Sequence, residues 1–449
     1  MSIQQKSKSD AHASIDELVA LARAAAAEAA NYQERFAAED TEARKIVDIM
    51  EKFLRLKGRV VYGGAAINAH MSPENKFYDP RVNLPDYDFM TPDPLQDCAD
   101  LMVAFTREGF RDVEAKFGIH EGTYKIFVNF RSAADITYMP PDLYEKIVGD
   151  SVTIDGIHYA SANFLRMNMY LELSRPAGMV SRWEKVYRRL LLLNAEHPIK
   201  AGRCAEEPLR ALGRSAPAGG DALADRILEV GIAAGVIFLS GAAHYAAGAA
   251  EATGIASVTE KVILMMAPHV EEVAHELKSL GLATKTTPAI GELLPQHVEF
   301  RDRRGHLVAI LFETVACHSY TTLAEPAGYR LASIDLLIQM YYAMHFAGLG
   351  DYLAVRPMCV IQELVDIEAA RREAAAAAGG SPDSETLHDV FPLECIGHQP
   401  TMPELKKAHR ERVREKRKEL AGVLRVPSSF KARMTKKRRR ATTATPASE

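Results

Sequence analysis

The apolar positions near the N-terminus follow a helical period. Between Thr41 and Lys57 they recur at spacings of three and four residues, which places them on one face of an α-helix. Gly58 follows directly, and glycine commonly ends helices because it adopts left-handed backbone conformations. The apolar face consists of Ile46, Val47, Met50, Phe53 and Leu54. The pattern predicts a helix that delivers the chain to whatever follows Gly58.

The pattern changes after this helix. A short apolar segment, Arg59–Tyr62, is typical of a strand, and it is followed by Gly63, Gly64 and a helix-like run, Ala65–His70. Glycines at a strand-to-helix turn let backbone N–H groups and a helix N-terminus approach a phosphate without side-chain obstruction. A glycine pair alone is more often a simple turn, so this interpretation depends on the residues that accompany it.

Three aspartates accompany the glycine turn. In an extended strand, side chains two positions apart share a face, so Asp86 and Asp88 present two carboxylates side by side. Adjacent anions repel each other unless a cation lies between them, and carboxylate oxygens bind Mg²⁺ together with substrate phosphates and water. Asp135, in another predicted strand, can complete a clamp for two metal ions about 4 Å apart. We predict that all three are catalytic residues and ligands of two Mg²⁺ or Mn²⁺ ions.

The joint pattern resembles the DNA polymerase β-like nucleotidyltransferase superfamily. Four segments are similar to the poly(A) polymerase catalytic subunits of large nucleocytoplasmic DNA viruses, of mimivirus type and more distantly poxvirus type, and the resemblance covers most of residues 40–400. The segments are Tyr62–Asn68, Leu84–Phe89, His120–Lys125 and Ser181–Tyr187. The resemblance implies that Gly63 and Gly64 hold the triphosphate of ATP.

One position departs from the superfamily pattern. Many members carry a serine after or within the glycine pair, whose hydroxyl can contact phosphate, whereas this chain has Ala65. Backbone donors and a basic side chain must then do that work.

Several basic and amide residues are candidates for nucleotide binding. Lys125 alternates with apolar neighbours on a predicted strand, where it would balance the carboxylates or contact the triphosphate. Residues 159–193 predict two helices that carry Asn163, Arg166 and Lys185, which suit an incoming triphosphate or the RNA 3′ end. The alternative for each is a plain surface residue.

The second half of the chain repeats the first design. Residues 238–243, Phe-Leu-Ser-Gly-Ala-Ala, follow an apolar strand and echo residues 61–66, Val-Tyr-Gly-Gly-Ala-Ala, which suggests an internal duplication. Spacing then puts the counterparts of the three aspartates at Ile263, Met265 and Phe312, with Glu313 as a single leftover carboxylate. One carboxylate cannot hold two metal ions, so this copy is predicted to be inactive. A chance likeness of two α/β domains is the alternative.

Composition fits an ordinary globular enzyme. The 449 residues are 47% hydrophobic, and no apolar run reaches the roughly 18 residues that a membrane span requires, so no membrane partner is expected. The five cysteines are widely spaced and odd in number, which favours free thiols in a reducing compartment over disulfides or a zinc site. They are Cys98, Cys204, Cys317, Cys359 and Cys395.

Charge is concentrated at the C-terminus. Residues 401–440 carry 16 Lys and Arg against 4 Glu, although the whole chain has a net charge of −4. A concentrated basic end on an acidic body is typical of a protein that meets a polyanion such as RNA at one place. A solvated helix with a disordered tail, or a targeting signal at residues 436–440, is the alternative.

We therefore predict a mixed α/β (α+β) fold in five parts. The parts are N-terminal helices (1–58), a catalytic nucleotidyltransferase domain (59–197), a linker (198–222), a degenerate nucleotidyltransferase-like domain (223–400), and a basic helix with a disordered tail (401–449). Within the fourth part, Ile334–Phe346 predicts an apolar helix and Glu368–Asp389 a flexible surface insertion.

The function implied by the resemblance is template-independent addition of AMP from ATP to RNA 3′ ends, as in mRNA polyadenylation. Its implied location is the host cytoplasm, with packaging in the virion and a homodimer left open. One alternative is a nucleotidyltransferase that modifies a small molecule or protein, which would not need the basic end. The other is a non-catalytic RNA-binding subunit, against which the intact set of aspartates argues.

Overall fold

The computed structural model describes residues 15–78, 85–215, 217, 219–246, 260–291, 293–324, 326–378 and 385–423. They form two β-sheets with helices packed around them. Within these ranges, no helix is both long and apolar enough to cross a lipid bilayer. The basic run at residues 436–440 and the rest of the predicted tail from residue 424 lie outside the described residues.

Two helices precede the first sheet, α1 (Ile15–Glu39) and α2 (Thr41–Lys57). Asp40 caps α2 by accepting the backbone N–H of Glu42 at 2.8 Å, and Gly58 ends it with a left-handed φ of 59°. The predicted bounds of α2 are therefore confirmed. Most of its apolar face is buried in the hydrophobic core under the first sheet.

The first sheet has seven strands in the order β3-β4-β5-β2-β1-β7-β6. Its strands are β1 (Val60–Tyr62), β2 (Tyr87–Thr91), β3 (Val113–Phe117), β4 (Thr123–Val128), β5 (Arg131–Tyr138), β6 (Val152–Ile154) and β7 (Ile157–Tyr159). The helices of this region are α3 (Gly63–His70), α4 (Pro94–Arg107), α5 (Pro141–Asp150), α6 (Ala162–Leu173) and α7 (Trp183–Glu196). The two helices predicted in residues 159–193 are α6 and α7.

The second sheet has eight strands in the order β10-β11-β12-β9-β8-β14-β13-β15. Its strands are β8 (Ile237–Phe238), β9 (Ile263–Ala267), β10 (Ala283–Thr287), β11 (His297–Arg301), β12 (Leu307–Glu313), β13 (His318–Thr322), β14 (Arg330–Ala332) and β15 (Cys395–Ile396). The helices are α8 (Pro208–Gly213), α9 (Asp221–Ala234), α10 (Ala243–Ala246), α11 (Val270–Ser279), α12 (Ile334–Ala347), α13 (Pro357–Ala377) and α14 (Glu385–Val390).

The two sheets share one topology. If β15 is set aside, each strand of the second sheet has a counterpart at the same place in the first, with the same parallel or antiparallel sense at the four central pairings. The central strand β8 pairs antiparallel with β9 and parallel with β14, as β1 does with β2 and β7. The predicted second copy of the nucleotidyltransferase-like fold is confirmed.

Strand register corrects the counterparts of the aspartates. Ile237 and Phe238 pair with Met266 and Met265 in the same way as Val60 and Val61 pair with Met90 and Phe89. The counterparts of Asp86, Asp88 and Asp135 are consequently Val262, Leu264 and Ile310. The positions predicted from spacing, Ile263, Met265 and Phe312, were wrong because each of the two intervening segments is one residue shorter in the second copy. No carboxylate is left at any of the three positions.

Helix α12 lies in the hydrophobic core. Almost all of its side chains are buried, and it packs against both α6 and α13. A helix that is apolar all round belongs inside a core. The predicted apolar helix is therefore confirmed.

The expected insertion at Glu368–Asp389 is wrong over its first part. Helix α13 continues to Ala377, and Arg372 is buried on it with ion pairs to Glu368 and to Asp335 of α12, the latter at 2.6 Å. The alanine run misled the prediction because helix-forming alanines are equally typical of an internal helix. Residues 379–384 lie outside the described ranges.

The expectation of free thiols is also wrong for four of the five cysteines. Disulfides join Cys204 to Cys359 and Cys317 to Cys395, and Cys98 is a buried free thiol. The partners are 155 and 78 residues apart in the sequence. Spacing along the chain could not reveal the pairs, because tertiary structure alone brings them together.

A second compact unit consists of residues 117–123 and, within the described part of the chain, residues 400–423. Its helix α15 (Met402–Val423) begins with a capping box, in which Thr401 and Glu404 bond reciprocally. On this helix, Arg412 donates to the Ile119 carbonyl at 2.6 Å and a His409 ring nitrogen lies 2.8 Å from the Gly118 carbonyl. The basic helix predicted over Glu404–Ala421 is confirmed, with slightly wider bounds.

Candidate active site

The site is built on the turn between β1 and α3. Gly63 adopts a left-handed φ of 72°, and a Cβ atom there would lie 2.6 Å from Asp88 Oδ2. A side chain at Gly63 would therefore strain the backbone and displace the carboxylate. Gly64 follows in the first turn of α3, where the backbone N–H groups of a helix have no partner within the helix. The sequence prediction of a strand, a glycine pair and a helix is confirmed.

Strand pairing brings the three aspartates to this turn. Asp88 lies opposite Tyr62 of β1 on one side and opposite Asp135 of β5 on the other. Residues directly opposite each other project from the same face of a sheet, so the two carboxylates are neighbours. Asp86 comes directly before β2 and is exposed, while Asp88 is half-buried. The opposite face of β2 holds the strand in place, because Tyr87 donates to Glu51 of α2 at 2.8 Å.

Burial and the repulsion between neighbouring carboxylates raise the pKa of Asp86 and of Asp88. Loss of hydration raises the pKa of Asp88 to about 7, with the charges of Asp86 and Asp135 adding to the effect. The pKa of Asp86 is raised by the same causes, loss of hydration first and the charge of Asp135 second. Lys125 and Arg182 oppose the shift at Asp88. A cation placed among the three groups would relieve this repulsion.

Lys125 supplies one positive charge to this group of carboxylates. Its ammonium group forms an ion pair with Asp135 Oδ2. The other oxygen, Asp135 Oδ1, is buried and has no hydrogen-bond partner among the described residues. A buried carboxylate oxygen left unpaired is costly, and a divalent cation is one partner that would satisfy it.

The donor set therefore fits divalent metal ions, although the three carboxylates are not drawn together as a preformed cluster. Within the described ranges, no group of three acidic, histidine or cysteine side chains surrounds one point closely enough to hold a metal. The ammonium group of Lys125 occupies one of the Asp135 oxygens that a metal ion would use. Of the two roles predicted for Lys125, charge balance is the one that the structure describes.

Helix α7 brings a basic face towards the site. Arg182, at its start, Lys185 and Arg189 are spaced by three and four residues and so share one side of the helix. All three lower the pKa of Glu172, which burial raises, and Arg182 pairs with it at 3.0 Å. Lys185 itself is exposed, and its predicted role in nucleotide binding stays a prediction. Sequence alone could not rank Arg182 and Arg189 above other basic residues.

Asn163 and Arg166 occupy a different environment. Arg166 is only 1% exposed, and its guanidinium donates to Asn194 at 2.7 Å and to the Leu193 carbonyl. Asn163 Oδ1 accepts from Arg166 at 2.9 Å and from Tyr342 of α12 at 3.3 Å. Their hydrogen bonds thus join α6 to α7 and α12. This packing does not support a role in nucleotide binding, which stays a prediction for both residues.

The equivalent turn of the second copy is filled by the protein itself. Glu260 is buried, and its Oε1 accepts the backbone N–H of Gly241, the counterpart of Gly64, at 2.7 Å. Burial raises the pKa of Glu260 to about 8, although hydrogen bonds from Gly241, Ser240 and Ala242 oppose the rise. The second copy thus lacks the carboxylates and has a carboxyl group where a phosphate would meet the turn.

Two sheets of one strand order, the first with a glycine turn beside three aspartates, define a nucleotidyltransferase-like fold in two copies. The crystal structure of the Megavirus polyadenylate synthase is similar over 93% of this chain and 86% of that chain, with a TM-score of 0.72 and 21% identity. At this identity the similarity establishes the fold, which agrees with the predicted fold class.

Sequence comparisons point to the same group of proteins. Residues 48–179 match the family model of the poly(A) polymerase catalytic subunit. A protein of that name from Acanthamoeba polyphaga mimivirus is 35% identical over 163 residues, which cover 35% of this chain and 27% of that protein. One from African swine fever virus is 24% identical over 168 residues, covering 36% and 35%. The predicted resemblance to these viral catalytic subunits is confirmed, while the chain spans about a third or less of the length of these curated relatives.

Proposed function

We propose that this protein is a template-independent poly(A) polymerase that adds AMP from ATP to RNA 3′ ends. The observation that carries the proposal is the register of the first sheet, which sets Asp88 between the glycine turn and Asp135. Carboxylates on one face of a sheet can hold two metal ions for nucleotide transfer, and a helix N-terminus beside them can bind the phosphates. Placement in the host cytoplasm, implied by the resemblance, belongs to the same proposal.

The carboxylates would hold the metal ions. Asp86, Asp88 and Asp135 would bind two Mg²⁺ or Mn²⁺ ions, and such ions supply charge neutralisation and a lower pKa for the attacking 3′ hydroxyl. The orphan oxygen of Asp135 and the raised pKa of Asp88 both fit groups that are stabilised by a cation.

The remaining residues would bind and orient the substrates. Backbone N–H groups at Gly63 and Gly64 would contact the triphosphate, since glycines place no side chain of their own between the backbone and a phosphate. Arg182 brings positive charge close to Asp88. The chemistry then rests on positioning and electrostatics, so the chain need not supply a nucleophilic side chain.

A primer-extension assay tests the proposal. Full-length protein is incubated with labelled RNA, Mn²⁺ or Mg²⁺, and each of the four nucleoside triphosphates in turn, and RNA length is read on a gel. We expect extension with ATP and a rate at least about 100-fold lower in Asp88→Asn, since the metal ions contribute several kcal/mol to the transition state.

Glu313→Gln in the second copy serves as the matched control. Glu313 lies opposite Ala267 in the register, at the position of Tyr138 and not of Asp135, so its amide should leave the rate unchanged. Failure to extend RNA with any of the four nucleotides, or a normal rate in Asp88→Asn, would refute the proposal. Transfer of AMP to a protein or small molecule but not to RNA would favour the first alternative activity.

A further inference from the structure

The glycine turn lacks the serine hydroxyl that many related enzymes place against phosphate, and Ala65 stands in that region. A basic side chain is needed there to supplement the backbone donors. Arg189 of α7 is close to the turn, since a Cβ atom on Gly64 would lie 3.2 Å from Arg189 Nη1. The guanidinium therefore lies against the bare backbone of Gly64, in space that any other residue at this position would take.

Two aromatic rings fix the guanidinium in this place. Its centre lies 4.2 Å from the centroid of the Phe77 ring and 5.3 Å from that of Tyr78, and Nη2 donates to the Tyr78 hydroxyl at 2.7 Å. Among the ion pairs of the described residues, none joins Arg189 to a carboxylate; its charge acts on Glu172 only from a longer distance, while Arg182 forms the ion pair with that residue. The positive charge of Arg189 is thus oriented by neutral groups and is available to an anion.

The segment that carries these rings is itself attached to both helices. The backbone N–H groups of Phe77 and Tyr78 each donate to Asn68 Oδ1 of α3 at 2.9 Å. Further back, Ser72 donates through its backbone N–H and its hydroxyl to Glu196 of α7, at 2.6 and 2.7 Å. The segment therefore ties α3, whose first residues form the turn, to the helix that bears Arg189. Such support is what holds a binding group at a fixed distance from its ligand.

We propose that Arg189 binds the β- and γ-phosphates of the incoming nucleotide at the Gly63–Gly64 turn, with Phe77 and Tyr78 as positioning residues. The inference rests on the proposed function. Guanidinium is suited to this because its planar fork of donors matches phosphate oxygens in pairs, whereas lysine is a point charge. The group supplies the side-chain phosphate contact that Ala65 cannot make.

Equilibrium binding to the full-length protein tests the inference. Arg189→Ala should weaken the affinity for MgATP and for inorganic tripolyphosphate by about tenfold to a hundredfold, the usual size of a charge-assisted contact. Affinity for AMP should change far less, because AMP lacks the β- and γ-phosphates. The affinities of Arg189→Lys should lie between those of the wild type and Arg189→Ala. Tyr78→Phe keeps the ring but loses the hydroxyl, so its loss of affinity should be smaller than that of Arg189→Ala. The exposed neighbour Arg188→Ala is the matched control and should leave all three affinities unchanged.

The outcomes separate this inference from the proposed function. Unchanged affinity for tripolyphosphate in Arg189→Ala overturns the inference, and so does an equal loss of affinity for AMP and ATP, which would indicate a structural role. If the wild-type protein extends RNA while either of those results is found, the inference alone fails. If the wild-type protein neither binds MgATP nor extends RNA, the proposed function fails and the inference fails with it.

Discussion

At the scale of single residues, the site depends on how closely a carboxylate approaches a backbone turn. Gly63 combines a left-handed φ with contact to Asp88, so its conformation and its lack of a side chain are both used. Either requirement alone would favour glycine, and together they make the position sensitive to the smallest substitution.

We predict that Gly63→Ala lowers both stability and AMP transfer. A left-handed conformation costs a residue with a Cβ atom roughly 1–2 kcal/mol, and the new methyl group would also displace Asp88. A displaced catalytic group typically costs about a hundredfold in rate when it moves by about 1 Å. Urea denaturation measures the first effect and the RNA extension assay the second.

Gly109→Ala is the matched control, because Gly109 also has a positive φ, of 94°, but no heavy atom lies within 4 Å of its added Cβ. It should show the backbone cost without any loss of transfer activity. Equal activity in the two variants would mean that the contact with Asp88 does not matter.

The residues that sequence could identify are those with short-range patterns. Gly63 and Gly64 stand next to each other, and Asp86 and Asp88 show the spacing of one strand face, so both pairs were predictable. Arg189 could not be singled out from the other basic residues of its region, since its place at the turn depends on the packing of a helix that lies more than a hundred residues further along the chain. Arg166 was predicted to bind nucleotide, but the structure buries it. A buried and an exposed arginine cannot be distinguished by sequence alone.

At the scale of elements, the two glycine turns have the same strand-to-helix motif but different surroundings. In the first copy the turn lies beside the Asp88 carboxylate and the Arg189 guanidinium, and in the second Glu260 accepts a hydrogen bond from the backbone N–H of Gly241. The same strand-to-helix geometry is therefore kept as a structural hydrogen-bonding site. Burial makes such a site less stabilising once the carboxyl group loses its proton.

We predict that Glu260 makes stability depend on pH. Its pKa is about 8 in the folded chain, against about 4.3 for an unfolded glutamate, so between these values the folded state binds the extra proton. The stabilisation is complete below the lower value and is lost as pH rises through the upper one, by at most about 1.4 kcal/mol per pH unit. Glu260→Gln removes this dependence, so its stability relative to wild type should rise from pH 5 to pH 9.

Denaturation curves at five pH values give the comparison, with the exposed Glu271→Gln of α11 as the control that should follow the wild type. Parallel profiles for wild type and Glu260→Gln would show that Glu260 does not titrate in this range.

Elements themselves were predicted well where periodicity is local. Helix α2 has the bounds that its apolar spacing indicates, because its apolar face lies within the helix and its capping residues lie directly beside it. Register in the second copy was not predictable to the residue, since two connecting segments changed length by one position each. The disulfides were missed for a related reason, because pairing depends on which distant strands and helices meet.

At the scale of the whole molecule, two disulfides close loops of 78 and 155 residues. On a chain-entropy model, each would stabilise the folded state by about 4–5 kcal/mol, mainly by restricting the unfolded chain. Disulfides are rare in the cytosol, so their presence bears on the location proposed for this protein.

We predict that the purified protein carries one free thiol. Alkylation in denaturant without reductant should modify Cys98 alone, and alkylation after reduction should modify all five cysteines. Mass spectrometry of the intact chain counts the labels. Five labels without reductant would show that the chain folds with free thiols, and the melting temperature should then not respond to reductant.

The basic C-terminal end provides a prediction about RNA. Residues 431–440 carry seven Lys and Arg, and they lie outside the described residues. If this segment binds RNA phosphates, deleting residues 431–449 should weaken RNA binding and reduce the dependence of log K on log salt by roughly 0.7 for each phosphate that is no longer bound. ATP affinity should stay constant. Affinities measured across several salt concentrations decide this, and equal slopes with equal affinities would favour a targeting signal instead.

The shared topology of the two sheets has a consequence for how the chain tolerates mutation. Where the first copy keeps three mutually repelling carboxylates, the second has Val262, Leu264 and Ile310, all at most 3% exposed. Burying such side chains typically contributes about 1.5–3 kcal/mol each, whereas active sites commonly sacrifice stability for activity. One half of the chain is therefore constrained by chemistry and the other by packing alone. If the two halves unfold together, the stability that the second half contributes can compensate for substitutions in the first half that only lower the free energy of unfolding.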